Sequence, residues 1–348
     1  MRRELLAWYE HYGRDLPWRA PRGKIADPYR VWLSEIMLQQ TTVTTVKPYF
    51  RRFLERWPTV MDLASADIDD ILHGWQGLGY YARARNLHQC ATKLCAEFGG
   101  RFPDTEAELK NLPGIGVYTA AAISAIAFGN PANVVDGNVE RVMARLYAVK
   151  EPLAKCKHEI RQLSAQLAPR TTRGRPGDFA QAVMDLGATI CTPRKPKCMI
   201  CPLSRRCIAY QEGLHETLPS KQKKVPKPLR YGVAFWVINQ NGRILMRKRP
   251  NRGLLGGMVE VPSTDWVTEQ WSIANAIKIA PLKGSWRILP GVVKHTFTHF
   301  HLELLILAAN LKPVDGPAGA IWVLPEKIEN YPLPTVMKKI VGHVLKSG

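Results

Sequence analysis

Four cysteines fall within seventeen residues, as Cys191-x6-Cys198-x2-Cys201-x5-Cys207, in a stretch whose other residues are largely Pro, Lys and Arg. Such a stretch holds too few apolar side chains to fold by itself, so its conformation must come from something the thiolates bind. Zinc and an iron–sulfur cluster are the two candidates. Zinc sites more often pair two C-x2-C knuckles at a distance. Here one C-x2-C is flanked by two single cysteines, which favours a cluster over zinc or over unligated thiols. The chain has 7 cysteines in all, an odd number that suits a metal group in a reducing compartment better than a disulfide framework. Once folded, the loop would present Arg194, Lys195, Lys197, Arg205 and Arg206 as a fixed basic surface.

That surface agrees with the charge of the whole chain. Lys and Arg number 49 against 29 Asp and Glu, a formal +20, so a polyanion is the first partner to expect, with an acidic protein or an anionic membrane surface as the other fits. A membrane span is not expected: the longest uncharged run, Asn111 to Val135, is interrupted by Pro113, Gly114, Gly116, Gly129 and Pro131. The N-terminus alternates apolar with charged residues and lacks the apolar core of a secretory signal. The expected location is the cytoplasm of a bacterial cell.

With 348 residues, at roughly 150 per domain, two domains are expected. Up to about Tyr210 apolar residues recur at helical spacing, with helices predicted at Pro28–Gln40, Thr42–Phe53, Tyr80–Phe98, Val117–Phe128, Gly137–Tyr147, Lys157–Leu167 and Phe179–Cys191. Basic residues and prolines then replace the pattern and mark a linker over 219–230. Beyond it, Tyr231–Ile238, the Asn241-Gly242 turn and Arg243–Arg247 read as a hairpin. Trp286–Leu289, Val292–Thr296 and Leu302–Ala308 add strands, and helices near Glu269–Ile279 and Thr335–Leu345 make this half α/β or α+β. The expected division is 1–218, with the cysteine loop at 191–207, then the linker and 231–348.

Three features of the helical half carry chemistry. Leu112-Pro113-Gly114-Ile115-Gly116 precedes a helix of small residues, and glycines there let backbone amides face a phosphate at a helix N-terminus, although a plain turn has the same appearance. Glu35 lies in VWLSEIMLQQT, where nearly every helical neighbour is apolar; a carboxyl so placed would keep a proton near neutral pH, unless it simply faces solvent. Asp136 opens Gly137-Asn138-Val139 and reads as an N-cap, a role compatible with catalysis.

Together SEIMLQQT (34–41), WQGLGYYARARNL (75–87), LPGIGVYTA (112–120), VDGNVERV (135–142), MDLGATIC (184–191) and the four cysteines resemble the helix-hairpin-helix DNA glycosylases of the endonuclease III superfamily. Within that superfamily the resemblance is closest to the MutY-type adenine DNA glycosylases. It implies a multidomain protein: an all-α glycosylase core with one 4Fe-4S cluster on Cys191, Cys198, Cys201 and Cys207, plus a C-terminal α/β Nudix-like domain. It implies that Glu35 protonates adenine and Asp136 stabilises the oxocarbenium-like sugar, with Asn138 and Tyr118 beside them. Trp18, Arg19 and Gln181 would line the adenine pocket. Gln40 and Tyr80 would fill the gap left by a flipped base, and Leu112, Gly114, Ile115 and Gly116 would contact DNA. Relatives that also cut the strand carry a lysine where this chain has Tyr118, so a monofunctional enzyme is implied.

HTFTHFHLE (295–303) resembles the family's lesion-reading motif, implying that Phe297, Thr298 and His299, with His301, read an 8-oxoguanine opposite the adenine. Thr298 stands where serine is usual. The spacing of His295, His299 and His301 on a strand is also compatible with a metal site. The stretch from 253 to 263 lacks the acidic cluster that a magnesium-dependent Nudix hydrolase needs, which disfavours nucleotide hydrolysis. The expected partner is duplex DNA holding A:8-oxoguanine or A:G, bound by a monomer. The alternatives are a bifunctional glycosylase/lyase and a non-catalytic iron–sulfur DNA-binding protein.

Overall fold

Helix ends in the first half follow local chemistry. In the computed structural model, which describes all residues except 22, 221–224, 313–315, 318 and 348, Asp27 caps α2 (Pro28–Leu38) by accepting from Tyr29 N, and Pro28 supplies the preset first turn. Thr42 caps α3 (Val43–Arg56) in the same way. The helices around them are α1 (Arg2–Tyr12), α4 (Val60–Ser65), α5 (Ile68–Gly74), α6 (Ala82–Phe98), α7 (Glu106–Leu109), α8 (Val117–Phe128), α9 (Gly137–Leu146), α10 (Leu153–Leu167), α11 (Pro176–Thr189) and α12 (Ile208–Gln211). Part of the expected linker, 221–224, lies outside the described residues.

The chain forms two contact units, Met1–Ser65 with Asn86–Lys224 and Ala66–Arg85 with Val225–Gly348. In the first, α8 is built of Ala, Ser and Ile and is buried on nearly every side. It packs against α2, α7 and α11, while α11 also meets α1 and α9. Two glycines allow this. A Cβ at Gly177 would lie 2.6 Å from the Ala125 carbonyl oxygen, and one at Gly187 would lie 2.6 Å from Asn138 Cβ. α11 therefore approaches α8 and α9 at backbone distance, which fixes the residues these three helices carry relative to one another.

The second unit is a mixed sheet. Its strands are β1 (Leu229–Asn239), β2 (Ile244–Lys248), β3 (Val259–Glu260), β4 (Arg287–Ile288), β5 (Val293–Thr296), β6 (His301–Leu311) and β7 (Ala320–Val323). The order is β3-β2-β1-β6-β4, with β5 also on β6 and β7 on β2. β1 runs parallel to β6, from Leu229 opposite His301 to Asn239 opposite Leu311, and the other pairs are antiparallel. Both faces of β1 are covered. Val233 and Phe235 pack with Ala276 of α13 (Ile273–Lys278), and Ala234 and Trp236 belong to the core that includes Val336, Met337 and Ile340 of α14 (Thr335–Ser347).

The sequence reading does not contain α1, α4, α5, α7, α12, β3 or β7. All but α1 have seven or fewer residues, too few for a period to declare itself, and α1 buries only Leu5. Residues Ala66–Arg85 read as part of the helical half but group with the sheet. Lys248 Nζ contacts Asp69 Oδ1 at 2.6 Å, Gln76 Nε2 donates to the Tyr331 carbonyl at 2.8 Å, and Arg85 donates to the Gly256 carbonyl. Such long-range polar contacts leave no local pattern.

Candidate active site

A cavity of about 690 Å³ in the first unit gathers Trp18, Arg19, Glu35, Gln40, Tyr118, Asp136, Asn138 and Gln181. They come from the segment after α1, from α2 and its C-terminal turn, and from α8, α9 and α11. Trp18 is buried edge-on against Phe50, with ring centroids 5.5 Å apart. Gln181 projects from α11 with its amide 3.3 Å from the Gly177 carbonyl. Gln40 is exposed at the end of α2 and takes the left-handed conformation, φ +56°.

Glu35 is 6% exposed, in a helix whose residues Tyr29 and Val31 to Met37 are all buried. Burial pushes its carboxyl up to about 7; the Tyr118 hydroxyl and the Arg19 charge oppose this, and the Asp136 charge adds to it. Tyr118 is itself held well above the usual phenol range, by burial first and then by the two acids. Its hydroxyl is 3.5 Å from Met184 Sδ.

Asp136 has the opposite setting. As N-cap of α9 it accepts from Asn138 N at 2.9 Å, Val139 N at 2.8 Å and Asn138 Nδ2 at 2.7 Å. The positive end of a helix faces it, an arrangement suited to a carboxylate. The bonding continues outward. Arg141 Nη2 donates to Asn138 Oδ1 at 2.9 Å, and Arg141 Nε donates to the Cys191 carbonyl at 2.7 Å. Asp136 is thus tied through two side chains to the first cysteine of the loop.

The four cysteines are part-buried, and Cys191, Cys201 and Cys207 pack against the core of this unit. Arg145 on α9 is 1% exposed beside them. It donates to the Leu218 and Thr192 carbonyls at 2.8 and 2.7 Å and sits 3.3 Å from Cys191 Sγ. Its Nη2 is buried with no partner. A cation with an unused donor next to an all-thiol set fits an electron-rich iron–sulfur group. Among the described residues no three His, Cys, Asp or Glu side chains converge on one ion position. A multi-iron cluster spreads its thiolates over several irons and does not require that convergence.

At the hairpin, Leu112 and Ile115 are buried, so their side chains are not at the surface and only their backbone remains for a DNA contact. Gly114 takes φ +76° and passes so close to Asn86 that a Cβ would lie 2.8 Å from that residue's Cβ. Gly116 is the N-cap of α8.

Tyr80 belongs to the second unit, whereas the cavity residues belong to the first, and it is 40% exposed with φ +49°, while Tyr81 is buried. Its hydroxyl is hydrogen-bonded to that of Thr298. Thr298 and His299 are exposed at a turn closed by Phe297 N donating to the Phe300 carbonyl at 2.9 Å. The Phe297 ring is engaged instead, stacked on Phe300 with centroids 4.7 Å apart and edge-on to His295 at 4.5 Å. His301 Nδ1 lies 3.0 Å from Thr296 Oγ1. Glu260, the buried acid of the Nudix-like stretch, is bonded to both Arg247 and Arg249, which leaves its carboxylate engaged.

Arg14, Arg141, Arg145 and Asp185 are parts of the site that the sequence reading did not single out. Asp185 lay in the quoted MDLGATIC run, and a lone acid between apolar helical neighbours was its available signal.

Comparison with known proteins agrees with this arrangement. Residues 33–170 match the HhH-GPD superfamily base excision DNA repair proteins, 191–207 the iron-sulfur binding domain of endonuclease III, and 233–343 the NUDIX domain. The human adenine DNA glycosylase is 36% identical, with 97% of this chain and 73% of that one covered. That of Buchnera aphidicola subsp. Acyrthosiphon pisum is 38% identical, with 99% and 97% covered. A solved thermostable thymine-DNA glycosylase is 32% identical with a TM-score of 0.53, covering 61% of this chain and 95% of its own. Endonuclease III in a non-covalent DNA complex shares the fold, with a TM-score of 0.50 at 23% identity, covering 61% and 94%. No helix among the described residues is long and apolar enough to cross a membrane. The chain belongs to the adenine DNA glycosylases, base excision repair enzymes of the HhH-GPD superfamily that here carry an iron–sulfur binding loop and a NUDIX domain.

Proposed function

We propose that the protein is a monofunctional glycosylase that removes adenine paired with 8-oxoguanine or guanine in duplex DNA, acting as a monomer. The observation that carries this is the pairing, in one cavity, of a carboxyl whose pKa is pushed up to about 7 with a second carboxyl held by three N–H donors. Adenine leaves poorly as an anion. Glu35 donates a proton to the base, and the Asp136 carboxylate faces the positive charge that grows on the sugar as the glycosidic bond breaks. Asn138 keeps Asp136 oriented, and Tyr118 hydrogen-bonds beside both acids. Trp18, Arg19 and Gln181 hold the flipped base. Water takes the place of the base at C1′, because residue 118 offers no amine to form an imine.

In this reading residues 1–218 carry the chemistry, 219–230 is a basic link and 231–348 reads the lesion. Gln40 and Tyr80 occupy the vacated stack, and backbone amides at 112–116 hold a phosphate. Thr298 and His299 at their exposed turn contact the 8-oxoguanine edge, with Phe297 as the support beneath. Cys191, Cys198, Cys201 and Cys207 hold one 4Fe-4S cluster, whose part is to fold the basic loop. The test is a strand-labelled duplex holding A:8-oxoguanine, incubated with the protein and then split with and without alkali. Strand breaks only after alkali support the reading. Breaks without alkali would make the enzyme bifunctional, and none in either arm would leave a DNA binder.

A further inference from the structure

Asp185, on α11, is fully buried and takes no part in the chemistry proposed above. It accepts from Arg14 N at 2.8 Å, Arg14 Nε at 2.6 Å, and Arg19 Nη1 and Nη2 at 2.7 Å each. Arg19 Nη1 also donates to the Arg14 carbonyl at 3.0 Å, so the segment after α1 is closed onto α11 through this one carboxylate. The pair is bidentate, a geometry that fixes both the place and the plane of the guanidinium.

We propose that Asp185 is the positioning residue of the acid site: by engaging both Nη atoms of Arg19 and the Nε of Arg14, it fixes the arginine part of the cavity that Glu35 also lines and compensates the arginine charge there. This rests on the reading of Glu35 as the proton donor. The ionisable groups around that cavity besides Glu35 are Arg14 and Arg19 after α1, Tyr118 on α8, and Asp136 and Glu140 of the α9 turn; α11 lines it with the uncharged Gln181, Met184 and Ala188. Of these, the arginines are the cations, and both are held by Asp185. Burial alone would push the Asp185 carboxyl up; the hydrogen bonds and charge of Arg19, with those of Arg14, more than reverse it and hold it below the usual range. Without the Asp185 charge, the Arg19 guanidinium, whose charge already acts on Glu35, would be uncompensated and would favour the ionised Glu35 carboxylate.

The experiment measures single-turnover adenine excision by the full chain against pH. The wild type should lose activity as pH rises through about 7. In Asp185→Asn that limb should move to lower pH by about one unit, the scale of an uncompensated neighbouring cation. Asp185→Asn combined with Arg19→Gln should bring the limb back to the wild-type position or above it, because the stray charge is gone. Should Asp185→Asn fail to melt cooperatively, Asp185→Glu decides: its retained charge should keep the limb in place while the displaced fork slows the rate. An unmoved limb in Asp185→Asn, or a lowered one in Asp185→Glu, overturns the proposal. A wild type that excises no adenine at any pH overturns the reading of the site instead.

Discussion

The Tyr80 hydroxyl is hydrogen-bonded to the Thr298 hydroxyl, so the side chain proposed to enter the base stack is joined to the one proposed to read the lesion. If the pair acts together, Tyr80→Phe and Thr298→Val should each lower the preference for 8-oxoguanine over guanine opposite adenine. The loss should be a few-fold to about tenfold, the net worth of a hydrogen bond. The double variant should lose little more than either single. Excision rates on the two duplexes give the cycle, and losses that multiply would mean that the two residues act separately.

Glu35→Gln keeps the shape of the side chain but cannot donate a proton. Single-turnover excision should fall by about 10²–10⁴-fold while DNA affinity stays near wild type. The same change should alter stability with pH in a defined direction. The folded pKa of Glu35 is raised from 4.5 to about 7, so its folded-state burial is tolerated below the unfolded value and becomes a cost as pH rises through the folded one. Glu35→Gln should therefore melt higher than wild type at pH 8, by a difference on the order of 3 kcal/mol that vanishes near pH 4. A melting difference independent of pH would contradict the assigned environment.

Asp136→Asn separates the capping role from the catalytic one. Asparagine caps a helix as well as aspartate does, so α9 should be retained and thermal stability should change by less than about 1 kcal/mol. Excision should still fall by several orders of magnitude, since a neutral amide cannot face the sugar's charge. Differential scanning calorimetry and the single-turnover assay read the two effects apart.

Tyr118→Lys places an amine in the cavity beside Asp136. It should produce some strand cleavage without alkali and a borohydride-trapped covalent complex. Wild-type protein that already traps would end the monofunctional reading.

The purified protein should contain about four irons per chain and absorb broadly in the visible. Cys198→Ser should lower iron content and DNA affinity together, and stoichiometric zinc without iron would reverse the assignment.

Much of the helical half is legible because its chemistry is local. The Asp27-Pro28 start, the glycines before α8 and the Asp136 cap each announce a helix end within a few residues. The apolar neighbours of Glu35 announce its burial in the same way, since i−4 and i+3 positions on one helix are in contact by geometry alone. What stayed hidden depends on pairs far apart in sequence. Arg14 and Arg19 meet Asp185 across more than 160 positions, and Tyr80 meets Thr298 across 218. Phe297 is the instructive middle case: its motif marks a reading element, but only its ring partners show that it supports the turn rather than forming its tip. The two-residue strand β3 is defined by its neighbour alone.

The close approach at Gly187 bears on how damage to such an enzyme is recognised. No reactive group sits at that position, and exchanging glycine for alanine is the smallest change a codon can make to the side chain. Yet a single methyl there would press on Asn138, whose amide holds Asp136 in place. With Asp136 in its proposed role, a protein carrying that variant should keep every acid, cysteine and arginine of the site and still lose excision rate, and a ranking of variants by chemical dissimilarity would score it as harmless.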